Sequence, residues 1–260
     1  MTVAGSDSGG GAGIQADLAT FGALDVHGTS AVTCLTAQNP DSVSDVFPVS
    51  GVFVREQMQQ ILRYFQVAAL KTGMLFSAEI IRAVTGFLRE NPSIQAVVDP
   101  VMVATSGATL LQPDAIDAVK SDLLPLASLI TPNLDEAAVL LSERPSDLDA
   151  MVEAGRRLAA EYGCAVLMKG GHLEGERVTD ALVTPGGEPK IFDYARIPDL
   201  DTHGSGCIFS AAITAWLARG LSVEEAAGRG RAYLQEAMRH AKTLRGRRFI
   251  DPQAPKPEIS

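Results

Sequence analysis

Short apolar runs rich in β-branched residues alternate with segments of helical spacing along most of this 260-residue chain. The alternation predicts a mostly parallel sheet with helices on both faces, because parallel neighbours need a crossover connection. No internal repeat or long linker divides the chain, and its length can bury one sizeable core. The candidate strands are residues 29–35, 67–71, 94–99, 128–131 and 164–168.

After Lys169, the alternation of strand-like and helical segments is interrupted. Residues 178–184 and 190–195 flank a Pro-Gly-Gly turn, a pattern typical of an antiparallel hairpin at a sheet edge. Apolar spacing predicts helices over 205–218 and 222–244, and Ser146 is the expected N-cap of an earlier helix. The proline-rich residues 251–260 are expected to form a loose tail.

The composition argues against several kinds of partner. A net charge of −9 and the lack of a sizeable basic cluster argue against nucleic acid or anionic membrane as a partner. The chain has no long apolar run or signal-peptide pattern, which predicts a cytoplasmic protein. Its three cysteines are too scattered for a disulfide framework or a zinc site, and Cys34 and Cys164 lie in strand-like runs typical of a core.

A glycine-rich segment over residues 5–13 joins a short strand to a predicted helix. Glycines there allow backbone to approach a ligand closely and leave helix amides free. The segment is not a dinucleotide fingerprint, since Ile14 stands where a third glycine is needed, and it lacks the Gly-Lys-Ser/Thr of a P-loop. Alone, it fits a binding loop and a plain turn equally well.

The segment Thr-His-Gly-Ser-Gly-Cys at 202–207 is more specific. Small residues open a predicted helix there, so its first amides can converge on an anion such as phosphate. Cys207 falls in the first turn, where the helix dipole lowers a thiol pKa and the side chain can reach a substrate hydroxyl. The alternative is a tightly packed helix start with an inert cysteine.

Polar residues follow three of the predicted strands. Asp99 and Glu136 lie where carboxylates could hold a phosphate-bound Mg²⁺, because parallel sheets bind ligands at the carboxyl ends of their strands. Lys169 could screen nucleotide phosphates from a similar position. The simpler interpretations are helix capping by Asn133, a solvated Glu136 and Lys169 as an ordinary loop residue.

Together these segments resemble the hydroxymethylpyrimidine/phosphomethylpyrimidine kinase family of the ribokinase superfamily. The similarity runs from residue 2 to about 243, and its most specific blocks are residues 4–17, 36–39, 71–75, 99–103 and 202–207. It implies a ribokinase-like three-layer α/β/α fold, with one kinase domain over 1–250. It also implies ATP-dependent phosphorylation of 4-amino-5-hydroxymethyl-2-methylpyrimidine and of its monophosphate for thiamine biosynthesis, and a homodimer.

The resemblance also implies individual roles. Cys207 stands where most ribokinase-like enzymes carry an aspartate base, and Lys169, Gly204 and Gly206 complete the implied catalytic set. The implied pyrimidine pocket consists of Gly5, Asp17, Thr36, Gln38, Met74 and Val101, with Asp17 and Gln38 reading the polar edges of the ring. The implied phosphate-binding residues are Asn133, Lys169, Thr202, Gly204, Ser205 and Gly206, with Asp99 and Glu136 for Mg²⁺.

Three other functions remain open. Some close relatives with the same loop phosphorylate pyridoxal, another flat heterocycle with a hydroxymethyl group. A non-catalytic pyrimidine or nucleotide sensor could keep the pocket without the transfer step. A nicotinamide-dependent oxidoreductase is the weakest alternative, because the third glycine and an acidic residue after the strand near Leu35 are both missing.

Overall fold

The computed structural model of the chain describes residues 1–102 and 111–257, so Val103 of the fourth resemblance block lies outside the described residues. The strands are β1 Thr2–Asp7, β2 Ser30–Asn39, β3 Ser42–Pro48, β4 Ala69–Thr72, β5 Gln95–Val98, β6 Leu129–Ile130, β7 Ala165–Met168, β8 Arg177–Val183, β9 Lys190–Ala195, β10 Lys242–Leu244 and β11 Arg247–Phe249. The α-helices are α1 Gly13–Ala23, α2 Gly51–Tyr64, α3 Ala78–Glu90, α4 Pro113–Ala118, α5 Leu134–Leu141, α6 Leu148–Tyr162, α7 Ser205–Ala218 and α8 Val223–Arg239.

Nine strands form one sheet in the order β3-β2-β1-β4-β5-β6-β7-β8-β9. The six central strands, β2 to β7 in that order, are parallel. The five predicted strands and the predicted edge hairpin, now β8 and β9, are confirmed. The antiparallel strand β3 at the opposite edge was not predicted. Its sequence, Ser-Val-Ser-Asp-Val-Phe-Pro, carries too few buried apolar positions to stand out.

Alternate residues along the central strands pack into two separate hydrophobic cores, one on each face of the sheet. On β5, Ala96 and Val98 pack against one face, whose helices are α2 to α6. Val97 packs against the other face, with α1, α7 and α8. This period-two alternation places every parallel strand between two helical layers and confirms the expected three-layer arrangement.

Two local predictions were wrong. The last helix ends at Arg239, and residues 242–244 instead pair with β11 in a separate hairpin. Its turn, Arg245-Gly246, has positive φ at both residues (50° and 81°), which matches the twist of a two-residue hairpin. The N-cap of α6 is Asp147, not Ser146, because the Asp147 carboxylate accepts the Ala150 amide at 2.8 Å.

The C-terminal segment is also better packed than expected. Residues 251–257 have no regular structure, yet Ala254 is buried and the Tyr233 hydroxyl donates to the Pro252 carbonyl at 2.8 Å. The tail up to residue 257 is therefore held against α8, while 258–260 lie outside the described residues. Within the described stretches, no helix combines the length and apolarity that crossing a membrane would require.

Candidate active site

A cavity of about 810 Å³ opens along the carboxyl ends of the central strands. Its walls come from the β1–α1 loop, the ends of β2 and β5, the start of α5, the residue after β7 and the start of α7. Of the fifteen different residues that the sequence singled out, all but Asp17 line it: Gly5, Thr36, Gln38, Met74, Asp99, Val101, Asn133, Glu136, Lys169, Thr202, Gly204, Ser205, Gly206 and Cys207 are on its surface.

The two glycine-rich segments meet at one side of this cavity. Gly204, the N-cap of α7, has φ of 82°, and a Cβ there would lie 1.9 Å from the Gly11 carbonyl oxygen. His203 Nε2 lies 2.9 Å from Asp7 Oδ2, and the Asp7 carboxylate also accepts the amides of Gly9 and Ala12. Close backbone packing and a polar bridge therefore fix the start of α7 against the first loop.

Cys207 lies in the first turn of α7, as the sequence indicated, but its electrostatics differ from the expectation. Burial raises the pKa of its thiol to about 11, although Lys71 and the Gly13 amide favour the thiolate. The expected lowering by the helix dipole is therefore wrong for this chain. The cause is physical, since partial burial disfavours the charged thiolate and the carboxylates of Asp17 and Asp99 also oppose it.

Three charged groups form a buried network beside the cysteine. Lys169 Nζ donates to Asp99 Oδ1 at 2.8 Å and lies 3.8 Å from Glu136 Oε2. Burial opposes ionisation of Asp99, but Lys169 and then Lys71 lower its pKa. Burial raises the pKa of Glu136 to about 7, partly offset by Lys169. The Lys169 ammonium thus lies close to both carboxylates at the floor of the cavity. The charge of a bound phosphate or cation would change the pKa values of these groups.

Asp99 and Glu136 could hold Mg²⁺ only if water or bound phosphates supplied its remaining ligands. Among the residues described here, no group of three or more His, Cys, Asp or Glu side chains could enclose a metal. Mg²⁺ commonly takes one or two carboxylates and completes its shell with water and substrate phosphates. Asp99 and Glu136 fit that pattern, because both line the same cavity as the residues that open α7. Glu136 also closes a capping box with Asn133, so the capping interpretation of Asn133 holds as well.

Asp17 does not take the position that the sequence suggested. Its side chain is fully buried, with Lys71 Nζ at 2.7 Å from Oδ1 and the Thr2 hydroxyl at 2.6 Å from Oδ2. It is not among the cavity-lining residues. The prediction that Asp17 reads the substrate ring is therefore wrong, because α1 turns this carboxylate towards β4 and not towards the cavity.

The far end of the cavity was missed by sequence reasoning. Asp180 and Arg231 form a buried ion pair of 2.9 Å there, and the Arg231 guanidinium lies 4.5 Å above the Tyr194 ring. Within the described residues, Arg231 Nη1 and Gln235 Oε1 are buried without a hydrogen-bond partner. A usable signal existed: Arg231 lies on the apolar face of α8, and Asp180 directly precedes the buried apolar residues Ala181, Leu182 and Val183 of β8.

Comparisons with known proteins agree with this geometry. The phosphomethylpyrimidine kinase family matches residues 7–250. The hydroxymethylpyrimidine/phosphomethylpyrimidine kinase of Rhizobium meliloti is 46% identical over 94% of this chain and 91% of its own. The chain spans only 33% and 50% of the length of two longer curated relatives.

Solved structures give the same relationship. A Bacillus subtilis pyridoxal kinase in an ADP complex superposes with a TM-score of 0.88 and 36% identity, covering 97% of this chain and 96% of that one. The phosphomethylpyrimidine kinase of Clostridium difficile superposes with a TM-score of 0.80 and 38% identity, covering 91% and 97%. The predicted ribokinase-like fold is confirmed by these neighbours.

Proposed function

Because this chain belongs to the phosphomethylpyrimidine kinase family, we propose that it uses ATP to phosphorylate 4-amino-5-hydroxymethyl-2-methylpyrimidine and then the resulting monophosphate. The product is the pyrimidine pyrophosphate consumed in thiamine biosynthesis. One observation carries the proposal: Cys207, Lys169 and the amides opening α7 share a single cavity with Thr36 and Gln38. An alcohol and a terminal phosphate can therefore meet at the sulfur.

The pyrimidine binds at the β1–β2 end of the cavity. Gln38 and Thr36 offer an amide and a hydroxyl to the polar edges of the ring, and Met74 and Val101 provide apolar walls. Gly5 allows β1 to pack closely against β2, since a Cβ there would lie 2.8 Å from the buried Cys34 sulfur. This arrangement directs the hydroxymethyl group towards Cys207.

The triphosphate binds at the N-terminus of α7. First-turn amides have no partner inside a helix, so those of Ser205, Gly206 and Cys207 can donate to phosphate oxygens. Lys169 adds positive charge from the opposite wall, with Thr202 and Asn133 at the margins. The nucleoside lies at the far end, where Arg231 and Gln235 offer buried polar atoms.

The transfer step needs alignment and a proton acceptor. The Cys207 thiolate accepts the hydroxyl proton, the substrate oxygen bonds to the γ-phosphorus, and the bond from that phosphorus to the β,γ-bridging oxygen breaks. ADP leaves with that oxygen, and Cys207 ends as a thiol. The Gly204–Gly206 backbone and Lys169 stabilise the negative charge on the transferring group. In the second reaction the acceptor is the phosphate of the monophosphate.

Mg²⁺ would be held by Asp99 and Glu136, directly or through water. It would neutralise charge on the β- and γ-phosphates. Occupation by a cation also favours the ionised form of Glu136, whose pKa burial raises to about 7 in its absence.

Pyridoxal is the competing substrate, because the Bacillus subtilis neighbour with a TM-score of 0.88 is a pyridoxal kinase. We expect kcat/KM for the pyrimidine alcohol to exceed that for pyridoxal by at least about tenfold, since one well-placed polar contact is worth that much. Coupled ADP-release assays with both alcohols measure this ratio, and EDTA should abolish both activities. A higher kcat/KM for pyridoxal would reverse the assignment.

We also propose that residues 1–250 form one kinase domain and that two copies associate. The continuous nine-stranded sheet supports the first point. Exposed Leu35, Phe47 and Phe53 beside the edge strand β3 support the second. Sedimentation should give a dimer, and Phe47→Glu should shift it towards monomer. A monomeric wild-type protein at micromolar concentration would contradict the association.

A further inference from the structure

Lys71 and Asp17 form a buried ion pair that the proposed reaction has not used. Lys71 Nζ and Asp17 Oδ1 are 2.7 Å apart, and neither side chain is exposed. Such a pair is weak evidence of stability, because removing two charges from water costs about as much as their attraction returns. Its position therefore needs another explanation.

The pair lies between the sheet and the helical layer that contains α7. Lys71 is on β4, two residues after Ala69, which packs in the core that contains α7. Residues two apart on a strand share a face, so the Lys71 side chain extends towards the same layer. Its Nζ lies 3.8 Å from the position of a Cβ on Gly73, a residue of the cavity wall.

Asp17 fixes the ammonium in this place. One carboxylate oxygen accepts from Lys71 and the other accepts from the Thr2 hydroxyl at 2.6 Å, so the acid is anchored between α1 and β1. Burial alone would lower the pKa of Lys71, but Asp17, with Cys207 and Asp99, raises it. Lys71 is therefore a fixed cation whose charge favours ionisation of a sulfur that burial makes harder to ionise.

We propose that Lys71, held by Asp17, is a positioning residue whose charge makes the thiolate of Cys207 accessible to the reaction. This inference rests on the proposed function, in which that thiolate accepts the substrate proton. Three charged groups act on the sulfur: Lys71 on β4, Asp17 on α1 and Asp99 after β5. Lys169, after β7 on the other wall, also interacts with the charge of the thiolate. Lys71 is the largest favourable influence among them.

The test compares iodoacetamide labelling of Cys207 with turnover in three variants. At pH 8.5, Lys71→Met should slow labelling roughly three- to tenfold, because one pKa unit is a tenfold change in thiolate. Lys71→Arg keeps the positive charge and should label at nearly the wild-type rate. Mere structural damage would slow labelling in both variants. Cys34 and Cys164 are buried, so labelling of the native protein reports Cys207.

Lys71→Met alone leaves an unpaired acid, so the double variant Lys71→Met/Asp17→Leu replaces the whole pair with apolar groups and should fold. It should label more slowly than wild type, lose kcat at least about tenfold and keep its KM for the pyrimidine. Its pH–kcat profile should shift to higher pH, because the thiol pKa rises without the Lys71 charge. Unchanged labelling and kcat in the folded double variant would overturn the proposal. Failure of the proposed function is distinguishable, since the wild type would then show no ATP-dependent turnover of the pyrimidine whatever the labelling rates.

Discussion

Replacing Cys207 with alanine should lower kcat by about 10²- to 10⁴-fold, the usual contribution of a positioned proton acceptor. The sulfur shares its cavity with the predicted pyrimidine-binding and phosphate-binding residues, and Lys71 and the Gly13 amide favour its thiolate. Truncation removes the acceptor but leaves both binding regions intact, so KM for the pyrimidine and the affinity for an ATP analogue should change little. Steady-state kinetics and calorimetric titration measure the two parts separately.

Cys164→Ala is the matched control. Cys164 is also buried and its thiol pKa is also raised, but it lies at the start of β7 and does not line the cavity. Its replacement should reduce stability modestly without changing kcat. Full turnover by Cys207→Ala would remove the cysteine from the mechanism, and absent turnover in the wild type with tight pyrimidine binding would favour the sensor hypothesis.

The sequence predicted the parts of the molecule that depend on local pattern. Five central strands and the α7 boundaries follow from apolar periodicity and small helix-opening residues. The carboxyl ends of parallel strands share one edge, so the sequence alone predicts that Asp99, Glu136 and Lys169 lie together. Their mutual distances confirm that they are neighbours.

What the sequence could not predict depends on contacts between distant segments. The direction of the Asp17 side chain is set by Lys71, 54 positions later, and by Thr2. The raised pKa of Cys207 reflects burial by the surrounding layers, which outweighs the local effect of the helix terminus. The end of the cavity proposed for the nucleoside joins β8 and α8, whose paired Asp180 and Arg231 are far apart in the sequence.

Gly204→Ala should lower kcat/KM about 100-fold or more. The residue has φ of 82°, and the new methyl group would lie 1.9 Å from the Gly11 carbonyl oxygen. That oxygen belongs to backbone in the first glycine-rich loop, so relief requires the start of α7 and this loop to separate. If these amides hold the phosphates as proposed, a shift of about 1 Å there is enough for a loss of this size. Coupled kinetics and thermal unfolding with and without an ATP analogue measure it.

Gly220→Ala separates this clash from simple backbone strain. Gly220 follows the same helix at φ of 86°, but a Cβ there meets nothing within 4 Å among the described residues. Both substitutions cost about 1–2 kcal/mol for a left-handed non-glycine residue, so both should lower Tm by a few degrees. Only Gly204→Ala should lose catalysis and stabilisation by the analogue, because only that methyl group moves the amides. Equal kinetic losses in the two variants would show that the contact between the loops does not position the phosphate.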